Sequence, residues 1–286
     1  MIGLVFGSFL NVCISRIPHD HSIVAPRSYC PACRASIAWH DNIPLLSWIL
    51  LRGRCRACGA QISLRYPSVE LLTAILFVAC YACFDLGSMA LKACALCFLL
   101  VGLIFMDAET GLLPAEFTYT GIGLGLLFSW FAPVDASGIR FLMRAFARRP
   151  PTPVPELSLL DASSAVLFGA GFFLVAWALY YLARKRHGLW FGDIAMIAMI
   201  AAFLGLKLTV LVVFLAPILG TLYGASLLFK RRREEIAGPQ LGAKTTPPDN
   251  SILLREVPFG VFLGTSALIA LFFGESIWRW YLGFFT

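Results

Sequence analysis

Two aspartates in apolar surroundings have the residue type and placement that could support chemistry. Asp107 ends one apolar stretch, and Asp193 follows Gly192 at the start of another. Charged side chains at such positions are costly in a membrane and usually mark function or pair with one another. Two carboxylates close together cannot both ionise cheaply, so one keeps its proton while the other can activate a water. This arrangement permits general acid–base peptide hydrolysis. Proton- or ion-coupled transport and simple helix capping are the alternatives.

Four cysteines form two C-x-x-C pairs, Cys30 with Cys33 and Cys55 with Cys58, within a polar segment. Each pair places two thiolates on one cation, and two pairs complete a tetrahedral set. The spacing therefore predicts a structural metal, with zinc as the expected ion, that supplies much of the folding energy of a segment with few apolar residues. Redox chemistry is the alternative. Four thiolates would close the coordination shell, so we expect the metal to have no catalytic role.

The composition is that of an integral membrane protein. Of the 286 residues 59% are hydrophobic and 14% are charged, and the mean hydropathy is +0.80. Soluble domains contain roughly 25% charged residues, so the excess of apolar residues indicates segments solvated by lipid. The net charge of +7 is typical of cationic cytoplasmic loops. No basic face with interleaved aromatic residues indicates a nucleic-acid partner.

The apolar stretches predict an all-α bundle of about eight spans. We expect three parts: a first transmembrane segment at 1–17, a cytoplasmic Cys-rich insert at 18–66, and a transmembrane core at 67–286. The arginines around 139–147 lie among apolar residues and predict an interfacial amphipathic helix. The eight predicted spans are Met1–Ile17, Pro67–Phe84, Met89–Met106, Ala115–Ala132, Ala162–Ala183, Leu189–Gly205, Leu208–Phe229 and Pro258–Phe285.

The placement of lysine and arginine orients the chain, since these residues concentrate in cytoplasmic loops. Most of them fall on the side of the Cys-rich insert, which is therefore expected in the cytoplasm. Asp107 then ends a span that runs toward the cytoplasm, and Asp193 begins a span that leaves it. Both carboxylates are accordingly expected at one depth, near the cytoplasmic face.

An ordered set of motifs resembles the type IV prepilin peptidases, which are membrane aspartic peptidases. Asp107 with Pro114, and Gly192 with Asp193, fit the two aspartate motifs of that family. The further matching segments, in chain order, are Gly7-Ser8-Phe9-Leu10-Asn11-Val12, Arg16-Ile17-Pro18, the two C-x-x-C pairs, Asn42-Ile43-Pro44-Leu45-Leu46-Ser47-Trp48, Arg52-Gly53-Arg54-Cys55, Ile62-Ser63-Leu64-Arg65-Tyr66-Pro67-Ser68-Val69-Glu70-Leu71, and Val257-Pro258-Phe259-Gly260.

The resemblance implies a bacterial inner-membrane enzyme that cleaves the basic leader from prepilins or pseudopilins, with Asp107 and Asp193 as the catalytic pair. For bifunctional members it also implies methylation of the new amino terminus with S-adenosylmethionine, and the Cys-bearing insert is associated with such members. No glycine-rich Rossmann fingerprint for that cofactor is present. The transporter alternative predicts an inverted repeat, of which the sequence gives no convincing sign.

The sequence departs from the family pattern at four positions. Both proposed catalytic carboxylates remain in place, so we expect activity, and an altered substrate preference is the alternative. Trp190 replaces the first glycine of G-x-G-D, Ala195 a lysine, Ala115 an aspartate and Val261 a late proline.

Two further residues are candidates for supporting roles. Gly192 would let backbone or substrate approach Asp193 closely. Glu70 opens a span, where a carboxylate favours the positive end of the helix. Packing or capping is one interpretation of Glu70, and a contact with substrate or with the methyl-transfer reaction is the other. A third hypothesis for the whole chain is a membrane scaffold in which the metal insert docks partners.

Overall fold

The computed structural model describes residues 1–132, 155–185, 191–236 and 258–284. These residues form helices and contain no β-strand, apart from two isolated bridges in the Cys-rich insert. The all-α prediction is confirmed. The helices are α1 (Ile2–Arg16), α2 (Leu46–Leu50), α3 (Arg65–Phe84), α4 (Ser88–Thr110), α5 (Ala115–Phe131), α6 (Pro155–Arg184), α7 (Phe191–Ile236) and α8 (Phe259–Leu282).

Helices α4 and α7 form the centre of the bundle. Helix α7 packs against α5, α6 and α8, and α4 packs against α1, α3, α5 and α8. Their facing side chains are fully buried, including Leu100, Leu103, Met106, Met196 and Ile200. Many large apolar side chains on the outer helices are exposed instead. This distribution fits a bundle whose surroundings are lipid, because the outer surface then needs no polar cover.

Within the described part of the chain, six helices are long and apolar enough to cross a membrane, so the chain is multi-pass by length and composition. The predicted count of eight is not confirmed. Helix α5 has 17 residues, which is short for a span of about 20 residues. The predicted spans Leu189–Gly205 and Leu208–Phe229 correspond to the two halves of α7, which are divided at Gly205.

Helix α7 is interrupted at Gly205, whose φ of 74° and ψ of 177° are not helical. Asp161 of α6 stabilises the break, because its Oδ2 accepts a hydrogen bond from the Leu206 N–H at 3.1 Å. A side chain at position 205 would collide with that carboxylate. Glycine is therefore required both for its conformation and for the space it leaves.

A buried lysine lies near this break. Lys92 of α4 is 4% exposed, and its Nζ donates to Ser129 Oγ at 3.1 Å. Ser129 in turn donates to the Ala202 carbonyl, one turn before the break, at 3.1 Å. The charge of Asp161 acts on Lys92. Four helices are thus linked by polar side chains at the end of the bundle where α4 begins.

Helices α1 and α3 approach until their backbones touch. A Cβ on Gly7 would lie 2.6 Å from Glu70 Cα, and a Cβ on Gly3 would lie 2.7 Å from Ala74 Cα. Small residues permit such close helix packing in membranes. The Cys-rich insert connects the end of α1 to the start of α3.

Some predictions lie outside the described residues. They are the amphipathic helix at 139–147, Trp190 of the second aspartate motif, Val257 of the late motif, and most of the loop that follows α7. The division of the chain at 1–17, 18–66 and 67–286 stays a prediction.

Candidate functional site

Asp107 lies in the last turns of α4 and reaches the start of α8. It is 6% exposed, and its Oδ2 accepts a hydrogen bond from the Val261 N–H at 3.0 Å. Val261 is in the first turn of α8, where backbone N–H groups have no partner within the helix. The positive end of the helix dipole also favours a negative charge there. A Cβ on the preceding residue, Gly260, would lie 2.8 Å from the same oxygen, so glycine makes room for the carboxylate.

Asp193 lies in the first turn of α7 and is 5% exposed. Its neighbour Gly192 packs against Leu113 so closely that a Cβ would lie 2.9 Å from Leu113 Cβ. Leu113 also faces α8, since its Cδ2 is 3.1 Å from the Cβ position of Gly260. Leu113 therefore lies between Gly192, which precedes Asp193, and Gly260, which contacts Asp107.

One turn deeper the same three helices converge again. A Cβ on Gly264 of α8 would lie 2.5 Å from Ile104 Cγ1 of α4 and 3.2 Å from Met196 Cε of α7. Ile104 precedes Asp107 by about one turn, and Met196 follows Asp193 by about one turn. The structure thus places both predicted carboxylates, buried, at one end of three tightly packed helices.

Cys30, Cys33, Cys55 and Cys58 come together in the insert. Their four Sγ atoms all lie within 4.8 Å of one another, and Cys30 Sγ is 3.9 Å from Cys58 Sγ. Tetrahedral zinc with Zn–S bonds of 2.3 Å needs sulfurs about 3.8 Å apart. The donor set and spacing therefore fit a metal ion of this kind.

The two C-x-x-C turns have the same backbone design. The Cys30 N–H donates to the Ala35 carbonyl at 2.9 Å, and the Cys55 N–H donates to the Ala60 carbonyl at 2.8 Å. Each turn is followed by a residue of positive φ, Arg34 at 60° and Gly59 at 72°. This repetition presents both thiol pairs to the same point.

The thiols differ in how easily they ionise. Hydrogen bonds from the Cys33 and Ala32 backbone lower the pKa of Cys30 to about 7. The pKa of Cys58 is raised to about 11 despite a hydrogen bond from the Ala60 backbone, because the neighbouring Cys33 thiol and burial oppose a further negative charge. Crowded thiols that resist complete ionisation are a favourable place for a divalent cation.

Glu70 is placed away from the aspartate pair, at the base of the insert. It is 8% exposed, and its Oε2 accepts a hydrogen bond from the Leu45 N–H at 2.7 Å. Leu45 has a φ of 59°, an uncommon value for a leucine. Glu70 thus fastens the insert to α3, and it lines a cavity whose described wall includes neither Asp107 nor Asp193.

Sequence reasoning missed the backbone partner of Asp107 and the position of Leu113. The sequence identifies the Val257-Pro258-Phe259-Gly260 segment as a motif but does not indicate that it lies against Asp107. Because 154 residues separate Asp107 from Val261, no local pattern connects them. The signal that could have found the contact is the glycine that follows a helix-starting proline.

Comparison with known proteins gives consistent matches along the chain. Residues 1–84 match the model of the bacterial peptidase A24 N-terminal domain. Residues 71–225, which include both aspartates, match the model of the type IV leader peptidase family. No solved structure gives a significant match.

Several relatives carry the name prepilin leader peptidase/N-methyltransferase. The protein of Aeromonas hydrophila is 33% identical over 99% of this chain and 92% of its own length. That of Myxococcus xanthus is 38% identical over 84% of this chain and 64% of its own length. That of Legionella pneumophila is 30% identical over 99% of this chain and 93% of its own length. On the strength of these matches and of the motifs they span, this chain belongs to the type IV leader peptidase family.

Proposed function

We propose that this protein is a membrane aspartic endopeptidase that removes the basic leader of type IV prepilins or pseudopilins and then methylates the new amino terminus. The observation that carries the proposal is the placement of Asp107 and Asp193. Both are buried at one end of three packed helices, within the part of the chain that matches the leader peptidase model.

The two carboxylates would divide the work of peptide hydrolysis between them. The Val261 N–H favours the charged form of Asp107, because hydrogen bonds to a carboxylate stabilise it. Asp107 would then take a proton from the attacking water, while protonated Asp193 donates to the scissile carbonyl. As the intermediate breaks down, the proton held by Asp107 passes to the leaving amine.

The substrate's apolar helix would enter from the bilayer, since that segment is soluble in lipid. Its basic leader would lie on the side of the insert, which we place in the cytoplasm with the protein in the inner membrane. The lysine and arginine distribution supports this orientation.

The four-cysteine cluster would hold a structural zinc ion, because four thiolates at tetrahedral spacing leave no open coordination position. For the second reaction S-adenosylmethionine would supply the methyl group. The transporter alternative has no supporting observation among the described residues.

The test is cleavage of a co-expressed prepilin by wild type, Asp107→Asn and Asp193→Asn, followed by gel shift and intact mass. We expect wild type to cleave and both variants to lose cleavage. Asp85→Asn is the matched control, since Asp85 is exposed and follows α3 at the opposite end of α4. Unchanged cleavage in both active-site variants would rule out the aspartic mechanism.

A further inference from the structure

The short helix α2 in the Cys-rich insert exposes an apolar face. This face consists of Leu46, Ile49 and Leu50, whose exposed fractions are 49%, 63% and 71%. The three residues are spaced i, i+3 and i+4, so they lie on one side of the helix. Neighbouring exposed apolar residues of this kind mark a contact with a partner or with a membrane. The proposed peptidase reaction uses none of them.

The opposite face of α2 is fixed to the rest of the insert. Ser47 is buried, and its hydroxyl donates to the His40 carbonyl at 3.0 Å. Trp48 Nε1 donates to the Ile62 carbonyl at 3.3 Å, and a Cβ on Gly53 would lie 2.9 Å from the Trp48 ring. These contacts hold α2 in one rotation about its axis, so the apolar face stays outward.

The fixed face of α2 also lines a cavity between the insert and the membrane helices. The cavity has a volume of about 1160 Å³, and its wall includes Ser47 and Trp48 but not Leu46, Ile49 or Leu50. Helix α2 is therefore a wall element, with the cavity on its inner side and the apolar face on its outer side.

Helix α2 is held at the level where α3 enters the membrane. The N–H of Leu45, the residue before α2, donates to Glu70 Oε2 at 2.7 Å. Glu70 follows Arg65, the first residue of α3, by about 7.5 Å along the helix axis. The 20 residues of α3 extend about 30 Å, which equals the thickness of the hydrocarbon core. Leu45 is therefore anchored close to the boundary between hydrocarbon and headgroups.

The exposed apolar surface of α3 begins at the same level. Leu71 directly follows Glu70 and is exposed, and Ile75 and Val78 are exposed further along the same side of the helix. In a membrane-spanning helix such a stripe is covered by lipid. The apolar face of α2 thus lies beside a surface that the bilayer already covers.

The charges next to α2 fit a lipid surface. Arg52 and Arg54 follow the helix directly, and both are exposed. Cationic side chains at the edge of an apolar face favour binding to anionic headgroups. The same charges would repel each other if two copies of this face came together.

We propose that the outer face of α2 lies in the interfacial region of the bilayer, with Leu46, Ile49 and Leu50 among the acyl chains and Arg52 and Arg54 beside anionic headgroups. The insert is then attached to the membrane at α2 as well as through α1 and α3, and one helix separates its cavity from lipid. The inference goes beyond the proposed function and does not depend on it.

The test uses the full-length protein in nanodiscs of phosphatidylcholine and phosphatidylglycerol. Ile49→p-benzoylphenylalanine introduces a photoreactive side chain that forms a bond to nearby C–H groups on illumination. Tyr29→p-benzoylphenylalanine is the matched control, because Tyr29 is an aromatic residue of the insert that is 46% exposed and lies outside α2. Mass spectrometry of the digested protein identifies what is attached at each position.

We expect a lipid adduct at position 49 and little or none at position 29. An adduct between position 49 and another segment of this chain or a second copy would overturn the proposal. The absence of a lipid adduct at position 49 would overturn it as well.

Limited trypsin digestion in the same nanodiscs provides a second measurement. Cleavage after Arg52 and Arg54 reports access to α2, and cleavage after Arg27 reports access to another part of the insert. Ile49→Gln/Leu50→Gln should be cut several-fold faster than wild type at the first two sites only, because a polar face no longer binds the interface. Its metal content should not change.

The conservative variant Ile49→Leu/Leu50→Ile keeps the face apolar and should be digested like wild type. Equal digestion of the polar variant and wild type would show that lipid does not shield α2. Faster cleavage at all three arginines would show that the apolar face serves the folding of the insert instead of a membrane contact.

Discussion

Asp107 and Val261 are joined by a 3.0 Å hydrogen bond from the Val261 backbone to the Asp107 carboxylate. Position 261 is one where this chain departs from the proline of its family. Proline has no N–H to donate, so Val261 makes a bond that a proline at this position could not make. The bond favours the charged form of the Asp107 carboxylate.

Val261→Pro should therefore change how cleavage depends on pH. The ionised Asp107 carboxylate would lose a donor, and a higher pH would be needed to maintain its charge. We expect the acid side of the pH–rate profile to move to higher pH. Val261→Ala keeps the N–H and should follow wild type; identical profiles for all three proteins would show that the hydrogen bond has no influence on the reaction.

Gly260→Ala should nearly abolish cleavage while leaving the fold intact. The added Cβ would lie 2.8 Å from Asp107 Oδ2, so the carboxylate has to move. Misplacing a catalytic group by about 1 Å can cost roughly a hundredfold in rate. Gly123→Ala is the control, because nothing lies within 4 Å of a Cβ at that position. Measured kcat/KM for a prepilin peptide should separate the two variants, and equal rates would contradict the placement of Asp107 against α8.

One metal ion per chain should be retained on purification and lost in Cys33→Ser. Cys83 is also exposed but lies outside the cluster, so the Cys83→Ser variant should keep the metal ion. Elemental analysis by mass spectrometry checks both variants and identifies the metal.

Metal affinity should also rise with pH. The ion must displace the protons of thiols such as Cys58, whose pKa is about 11, and this competition weakens as the pH increases. A metal competition assay over a pH series measures the effect. An affinity that does not change with pH would argue against thiolate ligands.

Lys92 and Asp161 should stabilise the bundle only as a pair. Asp161→Asn keeps an acceptor for the Leu206 N–H but leaves the buried Lys92 without its opposing charge. A buried cation is costly without an opposing charge nearby, so Asp161→Asn should lower the thermal stability of the bundle. The double variant with Lys92→Met should be more stable than Asp161→Asn alone, as followed by thermal unfolding in detergent. Additive losses would show that the two charges do not interact.

Apolar runs in the sequence located most of the helices because lipid solvation requires continuous apolar segments. Predicted Ala115–Ala132 and observed α5 (Ala115–Phe131) agree to within a residue. The predicted boundary between Leu189–Gly205 and Leu208–Phe229 coincides with the break in α7 at Gly205, but the sequence does not indicate which residue stabilises that break. That break depends on Asp161, which is far away in sequence.

The candidate sites show the same division. The C-x-x-C spacing predicted a cysteine cluster because each pair is a local turn. The contact of Asp107 with Val261 depends on tertiary packing, so no spacing rule indicates it.

The close packing of α1 on α3 has a consequence for the history of the chain. Gly3 packs on Ala74, Gly7 packs on Glu70, and Asn11 bonds to Tyr66. The antiparallel helices α1 and α3 therefore keep one register up to the ends that are joined to the insert. The ends of the insert are therefore already adjacent, and a short turn could join them. A metal-binding module attached at two such adjacent ends could be removed or replaced without moving the helices that carry the aspartates.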